Sequence, residues 1–148
     1  MTSSSPILVE VSRRFDVAAE RVYDAWLDPE LLGRWMFGPR LREEQVLHLN
    51  VDARVGGAFS FLVRRPGGEV DHIGTYRELE RPHRLAFTWG VAGQSTDDSV
   101  VSIDIQPRDA GCELALTHAM DPKWADYAER TRSAWIRMVD MLADVLAG

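Results

Sequence analysis

Residues 121–146 read DPKWADYAERTRSAWIRMVDMLADVL, and this stretch decides the fold. Asp121 is a suitable N-cap, because its carboxylate can accept hydrogen bonds from the free backbone N–H groups of a first helical turn. Pro122 follows at the first helical position, where a missing N–H costs nothing. The stretch predicts one amphipathic helix of about 25 residues. Its apolar stripe consists of residues spaced three and four apart: Trp124, Tyr127, Ala128, Thr131, Trp135, Met138, Leu142 and Val145.

The sequence before this helix supplies a cover for its aromatic stripe. Ile7, Val9 and Val11 alternate along a first strand, and two short helices follow. Residues 40–120 alternate between apolar and polar positions and are divided by Gly- and Pro-rich turns, which is typical of antiparallel strands. The prediction is an α+β protein in which a curved antiparallel sheet of about six or seven strands wraps around the last helix. No linker or repeat divides the chain, so residues 1–148 are predicted to form a single domain.

Composition and charge argue against several classes of protein. The net charge is −6 and no basic stripe is visible, so we expect neither nucleic acid nor an anionic membrane surface as a partner. The opening MTSSSP has no features of a secretory signal, and no apolar run approaches the roughly 20 residues of a membrane span. The expected location is the cytoplasm. Cys112 is the only cysteine, and we expect a buried, unreactive thiol.

The histidines and glycine-rich turns do not match a metal, cofactor or catalytic motif. His48, His72, His83 and His118 lack the spacing of metal ligands. The glycine pair at 56–57 is not followed by the Lys-Ser/Thr and helix of a phosphate loop. We therefore expect no metal and no cofactor, and we assign no catalytic residue.

Several polar residues lie near the predicted inner face of the sheet. His118 alternates with leucines and should point inward, either bonded to backbone or in contact with a ligand. His72 and Tyr76 share one face of a strand, and the sequence leaves open which face is inward. Arg64 and Arg65 are expected to be solvated residues beside a turn.

Four segments carry a resemblance to a known family. They are FDVAAERVYDAWLDPELLGRWMFGP at 15–39, VGGAFSF at 55–61, HIGTYRELERPHRLAFTWG at 72–90 and SAWIRMVDML at 133–142. In this order they resemble the family named after the activator of the heat-shock protein 90 ATPase. That family belongs to the SRPBCC superfamily of START-like lipid-transfer domains and the birch-pollen allergen. Two departures stand out: the family often has Pro near Ala18 or Ala19, and usually Gly where this chain has Ala134.

The resemblance implies a helix-grip fold with an apolar cavity between the sheet and the last helix. The leading hypothesis is a protein that binds a small apolar or aromatic molecule there. The alternatives are an enzyme of the polyketide cyclase/aromatase type and a chaperone ATPase-activating module, because fold alone does not decide function. Separately from these functions, a homodimer is possible, although no residue specifies its interface. An enzyme would need its acid or base from His72, His118, Tyr76 or Tyr127. The candidate ligand-binding residues are Trp35, Phe37, Phe59, Phe61, His72, Tyr76, Phe87, Trp89, His118, Trp124, Tyr127, Thr131, Trp135 and Met138.

Overall fold

The computed structural model describes residues 6–38, 42–93 and 99–147. Its helices are α1 (Ala19–Ala25), α2 (Pro29–Trp35) and α3 (Ala128–Ala147), and a 3₁₀ segment (Pro122–Tyr127) precedes α3. No helix in these ranges is both long and apolar enough to span a membrane. The strands are β1 (Ile7–Phe15), β2 (Gln45–Val51), β3 (Ala58–Arg65), β4 (Gly68–Glu80), β5 (Arg84–Thr88), β6 (Gly90–Val91), β7 (Val100–Arg108) and β8 (Gly111–Met120).

The strands form one antiparallel sheet in the order β1-β8-β7-β5-β4-β3-β2, with β6 beside β4. Since β1 pairs with β8, the strand that starts the described chain lies next to the strand that leads into α3. This arrangement confirms the predicted α+β helix-grip fold with two short helices after the first strand. The sheet has eight strands rather than six or seven, because residues 90–91 form a short extra strand after β5.

Alternation along the strands places the core on one face of the sheet. In β8 every second side chain is buried, whereas the side chains between them are more exposed. Because successive strand residues point to opposite faces, this pattern gives a single apolar face toward α3. The predicted inward position of His118 is confirmed, since only 4% of it is exposed. The buried positions of this strand are Cys112, Leu114, Leu116, His118 and Met120.

The two short helices close one end of the core with tryptophan side chains. Asp28 caps α2 by accepting a hydrogen bond from the backbone N–H of Glu30 at 3.0 Å. The indole N–H of Trp35 donates to the carbonyl of Ala25 at 3.0 Å, which ties the end of α2 to the end of α1. The rings of Trp26 and Trp35 meet edge to face with centroids 4.6 Å apart. Both side chains are therefore fixed in the core.

The last helix is shorter than the sequence predicts. Asp121 does cap the chain, accepting from the backbone N–H of Lys123 at 2.9 Å, but the residues after it form a 3₁₀ segment. Trp124 has non-helical dihedral angles (φ −99°, ψ 16°), and the α-helix begins at Ala128. Trp124 and Tyr127 are 38% and 45% exposed. The prediction was wrong here because a spacing of three fits the period of a 3₁₀ helix as well as that of an α-helix.

Candidate functional site

A partly open cavity of about 670 Å³ lies between the sheet and the N-terminal half of α3. Its walls come from β4, β6, β8, the 3₁₀ segment and α3, so several predicted elements converge on it. Nine of the fourteen candidate residues line this cavity: Phe37, His72, Trp89, His118, Trp124, Tyr127, Thr131, Trp135 and Met138.

The remaining five candidates lie in the solid core and not on the cavity wall. Phe59, for example, stacks on Phe61 at 4.7 Å and meets Phe87 edge to face at 5.6 Å. Core and cavity wall show the same period-two pattern in a strand, so alternation alone could not separate them. The five core residues are Trp35, Phe59, Phe61, Tyr76 and Phe87.

His118 is held in one neutral tautomer by two side chains. The indole N–H of Trp135 lies 3.0 Å from Nδ1 of His118. Because an indole N–H can only donate, Nδ1 must be the acceptor, and the ring proton is on Nε2. That N–H donates to Oγ of Ser99. Burial lowers the pKa of His118 to about 4, in keeping with a ring that stays neutral. Both partners are side chains, whereas the sequence left a bond to the backbone and a contact with a ligand as the alternatives.

Ser99 contributes a hydroxyl to the cavity that the sequence prediction missed. It lies directly before β7 and continues the alternation of Val101 and Ile103, whose side chains are buried, so period two already marked it as an inward residue. Its Oγ accepts from His118, so its own proton is left for another acceptor. The hydroxyl can thus donate a hydrogen bond to a molecule in the cavity.

His72 faces inward, which settles the orientation that the sequence left open. Only 8% of it is exposed, and its ring packs between Phe37 and Trp89 at centroid distances of 5.1 and 5.3 Å. Nδ1 lies 3.4 Å from the carbonyl of Phe61; because a carbonyl only accepts, the proton of the neutral ring belongs on Nδ1 and the lone pair on Nε2. Burial, and then the positive charge of Arg65, lower the pKa of His72 to about 4.

A buried carboxylate organises two arginines at the cavity wall. Oε1 of Glu44 accepts from Nε of Arg65 at 2.8 Å, and Oε2 accepts from Nη1 of Arg42 at 3.2 Å. The backbone N–H of Gly38 donates to the same Oε2 at 2.6 Å. Gly38 has φ 111°, a conformation that favours glycine, and a Cβ there would approach the Gly33 carbonyl at 2.8 Å. The turn after α2 therefore helps to position Glu44.

The placement of Arg65 corrects the prediction of a solvated residue beside a turn. Its side chain is 31% exposed and lines the cavity, whereas Arg64 points to the other face and pairs with Glu69 at 3.1 Å. The sequence contained a pattern that predicts this inward position of Arg65. Arg65 continues the alternation of Phe61 and Val63, whose side chains are buried, so period two already put it on the inner face. Other lining residues outside the candidate set are Arg42, Gly90, Val91, Met120, Arg130 and Ala134.

A sequence model of the family described as "Activator of Hsp90 ATPase homolog 1-like protein" matches residues 16–147. The chain belongs to this family. No curated protein matches the chain.

Solved structures share the fold of this chain. A protein from Rhodobacter sphaeroides has a TM-score of 0.82 and 22% identity, covering 99% of this chain and 96% of its own. A protein from Chromobacterium violaceum has a TM-score of 0.78 and 26% identity, with coverages of 93% and 95%. An AHSA1-like protein from Aeromonas hydrophila, solved by NMR, has a TM-score of 0.76 and 21% identity, with coverages of 93% and 90%.

Ala134 lines the cavity beside Trp135. Its methyl group adds to the apolar wall without closing the space. Among the residues described, no group of three or more His, Cys, Asp or Glu side chains is placed to hold a metal ion.

Proposed function

We propose that this protein binds a small apolar or aromatic molecule in the cavity beside α3. The observation that carries the proposal is the cavity itself, whose volume of about 670 Å³ lies within the range of small-molecule sites. Its aromatic wall includes Trp89 and Trp135, whose rings lie 5.7 Å apart, and Trp124 and Tyr127 at 5.5 Å. A flat apolar molecule placed against these rings would lose contact with water and gain stacking contacts.

A few polar groups would orient the bound molecule. The Ser99 hydroxyl has a proton left to donate, and Nε2 of His72 has a lone pair to accept with. Thr131, which is half-buried on α3, adds a further hydroxyl at the wall. An apolar cavity with a small number of convergent polar groups is the usual composition of a specific ligand site.

Acid–base catalysis on the bound molecule is a second candidate function, since His72 and His118 line the same cavity. A cyclase-type enzyme would need one of them to take up a proton near neutral pH. Both have a pKa of about 4, and Trp135 occupies Nδ1 of His118. These features favour binding over catalysis. A third function, stimulation of a chaperone ATPase, is supported by the name of the family alone.

Native mass spectrometry and tryptophan fluorescence test the binding proposal. We expect 2-naphthamide, a flat neutral probe, to form a one-to-one complex and to quench fluorescence saturably. Ala134→Leu should weaken binding, because the larger side chain extends into the cavity, while the neighbouring exposed Ser133→Leu serves as the matched control. Absence of binding at millimolar probe, or equal loss in both variants, would contradict the proposal.

A further inference from the structure

Among the residues that the structure describes, the charged side chains on the cavity wall are all cationic, although the whole chain has a net charge of −6. Arg42 and Arg65 line one side, and Arg130 lies on α3 with its guanidinium 5.5 Å from the Tyr127 ring. Glu44, the carboxylate nearest to them, is not itself a lining residue among those described. Of the charged side chains in the described part of the chain, a molecule in the cavity therefore contacts arginines and no carboxylate.

Glu44 does not neutralise this cluster. Its side chain is fully buried, and one carboxylate faces two guanidinium groups. The Glu44 carboxylate accepts hydrogen bonds from Nε of Arg65 and Nη1 of Arg42. The terminal amino groups of Arg65 therefore have no partner among the described residues. Glu44 thus holds the two guanidinium groups in position without lining the cavity itself. Positive charge and N–H donors remain available to a ligand.

The donors of Arg65 lie close to the aromatic stack. Arg65 and His72 line the same cavity, and the Glu44 carboxylate that binds Arg65 also accepts from the backbone N–H next to Phe37, whose ring lies 5.1 Å from the imidazole. His72 in turn packs against Trp89. One molecule can consequently contact an aromatic surface and a guanidinium at the same time.

We infer that the natural ligand is an aromatic or apolar carboxylate, whose ring lies against Trp89 and whose carboxylate pairs with Arg65 and Arg42. This inference rests on the proposed binding function and specifies the chemical class of the ligand. A planar guanidinium matches a carboxylate through two parallel N–H···O bonds, a geometry that a lysine cannot provide. Partial burial of both arginines keeps the solvent from fully screening the pairing.

Calorimetric titration with 2-naphthoate and 2-naphthamide tests the inference, because the two probes share a ring and differ in charge. We expect the wild-type protein to bind naphthoate about tenfold more tightly, as a charge-assisted hydrogen bond predicts. Raising the NaCl concentration should weaken naphthoate binding and leave naphthamide binding unchanged. These two measurements need no variant.

Arg65→Gln should remove most of the preference for naphthoate, measured as the ratio of the naphthoate affinity to the naphthamide affinity of the same variant. Arg64→Gln is the matched control, since the adjacent arginine pairs with Glu69 away from the cavity and should alter neither affinity. Equal wild-type affinity for both probes, or a preference that Arg65→Gln keeps, would overturn the carboxylate assignment while the binding function stands. Failure of both probes to bind would instead overturn the binding function.

Discussion

Trp135 joins α3 to the sheet through one directed hydrogen bond, and its ring also contacts Trp26 and Trp89 at 6.1 and 5.7 Å. The residue lines the cavity, yet only 2% of it is exposed. Its indole N–H determines where the proton of His118 sits. A single side chain thus sets both the shape of the cavity wall and the polarity of the histidine beside it.

Replacing Trp135 by Phe should raise the pKa of His118. The indole N–H stabilises the neutral ring by donating to Nδ1, and protonation of Nδ1 is incompatible with that bond. We expect an increase of about one pKa unit or more from the present value of about 4. NMR titration of the imidazole signals measures it, with His72, which has no bond to Trp135, as the internal control. An unchanged His118 pKa would show that the tautomer is held by other contacts.

Burial of neutral His72 and His118 should make the fold less stable in mild acid. Their folded pKa values of about 4 lie below the unfolded value of about 6.5. Between these values the unfolded chain binds more protons, so the free energy of unfolding falls as the pH drops, by on the order of a few kcal/mol. Urea unfolding at a series of pH values measures this decrease. His72→Gln should show a shallower decrease than the wild type, and an equal slope would contradict the assignment.

Among the secondary-structure elements, the start of the last helix shows that sequence periodicity can predict the wrong helix type. The cap at Asp121 and the apolar stripe from Trp135 onward were predictable, and both are confirmed. The 3₁₀ start was not, because Trp124 and Tyr127 are three residues apart in either helix type. Their rings pack on each other at the cavity mouth instead of entering the core.

Asp121→Ala should destabilise the protein by about 1 kcal/mol, since the backbone N–H of Lys123 loses its acceptor. Asp126→Ala is the matched control, because Asp126 is an exposed carboxylate in the same 3₁₀ segment. Urea unfolding of the two variants makes the comparison. Equal effects on the free energy of unfolding would mean that the capping bond adds nothing beyond the loss of a charge.

At the scale of the whole molecule, the sequence determines the sheet, the helices and most of the inward positions. Sequence patterns do not distinguish residues whose surroundings depend on how the sheet and α3 pack together. Phe59 and Trp89 look alike in an alternating pattern, yet one lies in the solid core and the other borders the cavity. Arg65 could have been placed inward from its alternation with Val63. Ser99 could also have been placed inward, from its alternation with Val101 and Ile103.

The most direct test of the cavity uses the five indole N–H signals of the chain in an NMR titration with 2-naphthamide. Trp89, Trp124 and Trp135 line the cavity, whereas Trp26 and Trp35 lie outside its lining and act as internal controls. The account predicts that the first three signals shift and saturate together, with smaller or no shifts for the other two. Unchanged signals at saturating probe, or shifts led by Trp26 and Trp35, would contradict a ligand cavity beside α3.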